Sequence, residues 1–140
     1  PWKAQQRVRE VMECLYNVGP EGYCGDEDNG QTSAWYVFSA IGLYPVCPGT
    51  GQYVLGSPLF DRVTLSLPGG KTFVVRAEGN GPGNYYIRQA MLNGRPLTRN
   101  YLTHGELLQG GELVLMMDSL PYTGRGTQVE DLPYSYSRHQ

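Results

Sequence analysis

Apolar residues in the first third of the chain recur at helical spacing. Val8, Val11, Met12, Leu15 and Tyr16 fall at i, i+3, i+4, i+7 and i+8 within residues 3–17, one stripe of a helix that Gly19-Pro20 stops. Residues 18–30 hold five glycines or prolines and read as a loop. A second stripe follows in residues 31–43, with Ala34, Trp35, Phe38 and Ile41 on one face and Val37 on its flank, closed by Gly42 and Pro45. Two helices joined by one loop predict a helical hairpin. Trp2, Tyr16, Trp35 and Phe38 are a large apolar load for a lone hairpin. The expectation is that it packs against further helices, and that the chain is a piece of a larger protein.

Beyond residue 45 the period changes from helical to alternating. Arg62–Leu67 places Val63, Leu65 and Leu67 on one face, and after Gly69-Gly70 the segment Thr72–Ala77 returns as a strand. Tyr85–Leu92 and Glu112–Met117 supply two more strands. Asn93-Gly94 is a strong hairpin signal, because a type I′ turn needs φ > 0 at both central positions. Thr103-His104-Gly105-Glu106 has capping-box spacing and predicts one short helical turn. The fold class expected is therefore α+β: terminal helices and a loop in 1–45, an antiparallel β region in 46–120, and an extended or disordered tail in 121–140. Its buried face is expected from Val63, Leu65, Leu67, Phe73, Val75, Tyr86, Leu113 and Leu115.

Composition narrows the classes. The 140 residues carry a net charge of −2, with no basic footprint for nucleic acid and no polybasic membrane patch. No apolar run reaches the roughly 18 residues of a membrane span, and the opening PWKAQQRVRE shows no signal-peptide pattern. Cys14, Cys24 and Cys47 form no C-x-x-C pair; buried free thiols are expected, with a Cys14–Cys24 bridge as the oxidised alternative.

Charged residues are only 17% of the chain, yet Asp26, Glu27 and Asp28 stand side by side before the second helix. Like charges together disfavour one another's ionisation. Three readings stay open. Asp28 or Asn29 can cap the helix, whose N-terminus favours carboxylates. The D-x-D-N-G run can lend ligands to a shared calcium site, although its glycine comes one position early for an EF-hand and no closing Glu follows. Asp26 and Asp28 can also act on one water as a general base, which an inverting glycosidase needs about 6.5–9.5 Å from its acid. Gln31 and Ser33, in the first helical turn beside the acids, either position water or sugar hydroxyls or simply cap the helix. Trp35 can stack on a sugar, but a Trp on a helix's apolar face reads rather as core; His104, within the capping box, reads as a surface residue, and His139 lies far away in sequence.

The stretch GDEDNGQTSAWYVFSAIGLYPVCPG resembles the signature of glycoside hydrolase family 92, exo-acting α-mannosidases, which reads G-[DN]-x-D-x-G-x-x-S-A followed by an aromatic-rich helix and Y-P-V-x-P-G. Thr32 stands where Met is common. PWKAQQRVRE, KTFVVRAEGN, YIRQAMLNGRPLTRNYLTH and GGELVLMM resemble flanking segments, so the resemblance covers roughly residues 1–120. It implies a calcium-dependent inverting enzyme built from a β-sandwich and an (α/α)6 barrel. This chain would be its C-terminal piece, inactive alone, and its helical hairpin the end of that barrel. Asp28, favoured, and Asp26 would be the general base, and Glu27 would face solvent. The general acid, a Glu, a G-N-E-P-type motif and most calcium ligands would lie upstream. Implied partners are α-mannosides of glycans and the N-terminal part of the same enzyme, with neither nucleic acid nor membrane, in a secreted or periplasmic setting. A non-catalytic carbohydrate-binding or structural β-module is the alternative.

Overall fold

The computed structural model describes residues 1–138. Helix α1 spans Trp2–Cys14 and α2 spans Gln31–Ile41, and the two touch. Strands β1 (Leu43–Tyr44), β2 (Gln52–Leu55) and β7 (Tyr101–Thr103) make a three-stranded sheet in the order β1-β2-β7. Strands β3 (Arg62–Ser66), β4 (Thr72–Glu78), β5 (Tyr86–Leu92), β6 (Arg95–Pro96) and β8 (Gly111–Asp118) make a five-stranded sheet in the order β3-β4-β8-β5-β6. Helix α3, His104–Gln109, opens on the expected capping box between Thr103 and Glu106.

Two expectations for the β region are corrected. The sheet is mixed rather than antiparallel: β4 and β8 run parallel, with Val75 opposite Leu113 and Ala77 opposite Leu115. Alternation reports which face of a strand is buried and does not by itself fix the direction of its neighbour; the apolar run Leu113–Met117 of β8 was the signal of a parallel partner. At the start of β5 the buried residue is Ile87, and Tyr86 is only half-buried. The ladder slips between Ile87 and Gln89, so one extra residue shifts the inward set to Ile87 and Ala90. Phe73, Val75, Leu113 and Leu115 are buried as expected; Val63, Leu65 and Leu67, towards the β3 edge, are half-buried. Leu43, Leu55 and Leu102 from the smaller sheet join the same core.

Asn93 and Gly94 have φ of 50° and 76°, the left-handed pair that joins β5 to β6. Valine at Gly94 meets no clash but cannot hold that φ cheaply. Gly94→Val should destabilise the chain by about 1–3 kcal/mol. A chemical-denaturation midpoint measures this; an unchanged midpoint contradicts it.

Helix α1 meets the sheet through polar groups. Gln5, Arg9 and Met12 are its buried residues, whereas Leu15 is exposed and Val8 and Val11 are half-buried. The Ile87 amide, beside the bulge, donates to Gln5 Oε1 at 3.0 Å. Arg9 donates through Nε to Glu13 at 2.8 Å and through Nη1 to the Pro58 carbonyl, and it lies over the Tyr85 ring. A buried guanidinium so partnered escapes the cost of an unsatisfied charge.

Residues 121–138 contain only short 3-10 turns, at Val129–Asp131 and Tyr136–Arg138. Arg125 pins this segment to the body by donating to Asn100 Oδ1 at 2.7 Å and to the Leu97 and Arg99 carbonyls at 3.0 and 3.1 Å. His139 lies outside the described residues.

Candidate active site

The acidic loop folds back over the start of α2. Asp28, Asn29 and Gly30 take successive left-handed conformations, with φ of 54°, 57° and 93°. The helix cap is therefore Gly30, and neither Asp28 nor Asn29 caps it with a side chain. Non-glycine residues at positive φ are uncommon and concentrate at functional sites. The turn directs loop carbonyls at the helix: Gln31 N–H donates to Asp28 O at 3.3 Å and Thr32 N–H to Glu27 O at 3.2 Å. The Thr32 hydroxyl donates to Asp26 O at 3.0 Å, a tether that methionine at this position would lack.

The middle acid is the one turned inward. Glu27 is half-buried, and its carboxylate accepts the Gly30 amide and, at 3.2 Å, the Ser33 amide. These are free donors of a helix first turn, which a carboxylate satisfies. The solvent-facing role expected of Glu27 is thus corrected. An acid three residues before a glycine cap and six before Ser33 was the signal available in the sequence. The Ser33 side chain, then the Gly30 and Ser33 amides, hold the Glu27 carboxyl below the ordinary glutamate range despite its partial desolvation. A carboxyl whose folded value is lowered contributes stability that is full above its unfolded value, about 4.3, and lost as pH falls through the folded one. Glu27→Gln should flatten the acid limb of a Tm-versus-pH curve below about pH 4.3. An acid limb identical to that of the wild type counts against it.

The Asp26 and Asp28 carboxylates take no part in these bonds. Both are exposed, and neither carboxylate makes a hydrogen bond or ion pair among the described residues. Two acceptor groups are thus left free on one short loop while the acid between them fixes the backbone. Gln31 is exposed beside them in the first turn. Ser33 is half-buried, with its hydroxyl 2.8 Å from that of Tyr23. Tyr23 also meets Tyr16 edge-on; Tyr16 in turn stacks on Trp35 at 5.6 Å and contacts Tyr36 at 4.8 Å. Tyr16, Asn17, Tyr23 and Tyr36 line an open hollow of about 530 Å³. Trp35 is half-buried in this aromatic group, and Val37 and Phe38 are exposed on α2.

The remaining candidates lie elsewhere. His104 is exposed and bonds through Nδ1 to the Tyr53 hydroxyl at 2.9 Å. The thiols are free, as expected, but not buried: Cys14 and Cys24 are exposed and Cys47 is half-buried. Among the described residues no three His, Cys, Asp or Glu side chains converge as a metal shell.

Residues 1–119 match the model of the glycosyl hydrolase family 92 catalytic domain. The chain belongs to glycoside hydrolase family 92. Among family 92 structures it is similar to an inverting mannosidase of Bacteroides thetaiotaomicron, at 66% identity and a TM-score of 0.92, over 98% of this chain and 19% of that one. An α-mannosidase of the same organism, in complex with mannoimidazole, is 34% identical with a TM-score of 0.92, over 97% of this chain and 18% of that one. An uncharacterized secreted glycosidase of Arthroderma benhamiae is 33% identical over 138 residues, 96% of this chain and 18% of the relative. The chain thus spans about a fifth of the length of the family 92 proteins it matches. Among its described residues no helix is long and apolar enough to cross a membrane.

Proposed function

We propose that this chain is the C-terminal part of an inverting exo-α-mannosidase and carries its general base. The observation that supports this most is the pair of unpartnered carboxylates on a left-handed turn, in a chain that belongs to family 92. Asp28 takes the proton of a water molecule as that water attacks the anomeric carbon of a terminal α-mannoside. Asp26, two residues away, keeps the site negative and orders the water. Gln31 and Ser33 orient water or mannose hydroxyls from the first turn of α2. The general acid that protonates the leaving oxygen belongs to the rest of the enzyme, as does most of the sugar pocket. In this reading α1 and α2 form the last hairpin of an (α/α)6 barrel, whose other helices cover Val37 and Phe38.

Calcium is the cofactor the family implies, and its ligands are expected mainly from outside this chain; no step above depends on it. The setting proposed is secreted or periplasmic, in line with the naming of the Arthroderma relative as secreted. The reaction class is tested by proton NMR of the full-length enzyme acting on an α-linked mannobiose. Early appearance of β-mannose supports the reading. Early α-mannose, or no release at all, overturns it, and the latter favours a binding module.

A further inference from the structure

We propose that Glu27 is a positioning residue of the hydrolytic step: its clamp on the first turn of α2 holds Asp28 in line with the attacked carbon. The inference rests on the reading of Asp28 as the base. The Asp26 and Asp28 carboxylates have no hydrogen bonds among the described residues, so their placement comes from the backbone alone. That backbone includes a left-handed Asp28 and a left-handed Asn29, conformations that persist only when surroundings hold them. Glu27 is the residue between the two aspartates, and its carboxylate is fastened at two points, the Gly30 and Ser33 amides. Tyr23 braces the second point by its 2.8 Å contact with the Ser33 hydroxyl, which links the preceding loop to the clamp. The Thr32 hydroxyl fixes the other side of Glu27 through the Asp26 carbonyl.

A base displaced by about 1 Å can lose on the order of 10²-fold in rate. A slack clamp therefore lowers kcat, while substrate binding, made largely by other groups, is kept. The test is a double-mutant cycle in the full-length enzyme with an aryl α-mannoside. Glu27→Gln should lower kcat roughly 10- to 100-fold with KM within about two-fold of wild type. In the Asp28→Asn background the same change should cost less than about two-fold, since no base is left to misplace. Tyr23→Phe, which removes only the brace, should lower kcat by a few-fold and serves if Glu27 variants fail to fold. The same loss in both backgrounds means a general structural role and overturns the proposal. So does wild-type kcat in Glu27→Gln and Tyr23→Phe beside an inactive Asp28→Asn. An active Asp28→Asn instead overturns the base assignment beneath it.

Discussion

Asp28→Asn in the full-length enzyme is expected to lower kcat by roughly 10³-fold, within the range that one general catalyst contributes, and to leave the Tm close to wild type. The geometry makes this a clean substitution. The Asp28 carboxylate holds nothing in the fold: it is exposed and bonds to no described residue. Its backbone sits at φ 54°, a region asparagine tolerates as well as aspartate does, as Asn29 shows next to it at φ 57°. Asparagine thus keeps the turn and the size of the side chain and removes only the ability to accept a proton. Asp26→Asn should cost less, about ten-fold, if Asp26 only assists. Steady-state kinetics on an α-mannoside separates the two. Equal losses would move the base to the pair as a unit, and wild-type activity in Asp28→Asn would refute the assignment.

The second large effect is the inactivity expected of this chain alone. A base without a positioned acid leaves the sugar oxygen unprotonated as it departs, which forfeits on the order of 10²–10⁴-fold. The acidic loop is also open to solvent here, with Asp26 and Asp28 on the surface and Val37 and Phe38 exposed on the helix that follows. Low-dielectric surroundings that strengthen catalytic electrostatics are missing. The purified chain should unfold cooperatively, because one apolar core joins β4, β5 and β8 to Leu43, Leu55 and Leu102 of the smaller sheet and to Ile41 of α2. It should release no mannose above the uncatalysed control. Measurable turnover by the purified chain would show that both catalytic groups are present within it.

Much of the fold was legible because local signals agreed with one another. The period of α2, the Asn93-Gly94 turn and the Thr103–Glu106 box each sit where the sequence put them. What escaped was non-local. The parallel pairing of β4 with β8 joins residues nearly forty apart, and the alternation within β4 does not fix such a choice. The bulge after Ile87 reverses faces within one strand, so Tyr86 reads as inward until the ladder is seen. In α1 the polar Gln5 and Arg9 are buried by hydrogen bonds to Ile87 and Pro58, while the apolar stripe stays partly open. Hydrophobic periodicity ranks those positions in the wrong order. The three acids before α2 were legible as residue types at a spacing, and Asp26 and Asp28 are exposed there. The inward turn of Glu27 was not, because an acid between two acids looks solvated until its amide partners are known.

The most direct test of the base assignment is rescue by azide. Glycine is at ease at positive φ, so Asp28→Gly removes the carboxylate without straining the turn. Azide needs no deprotonation and can enter the space the carboxylate and its water leave. With a dinitrophenyl α-mannoside, added azide should raise the rate of full-length Asp28→Gly at least ten-fold and yield β-mannosyl azide, while Asp26→Gly should gain little. Absence of rescue in Asp28→Gly, or rescue confined to Asp26→Gly, would contradict Asp28 as the base.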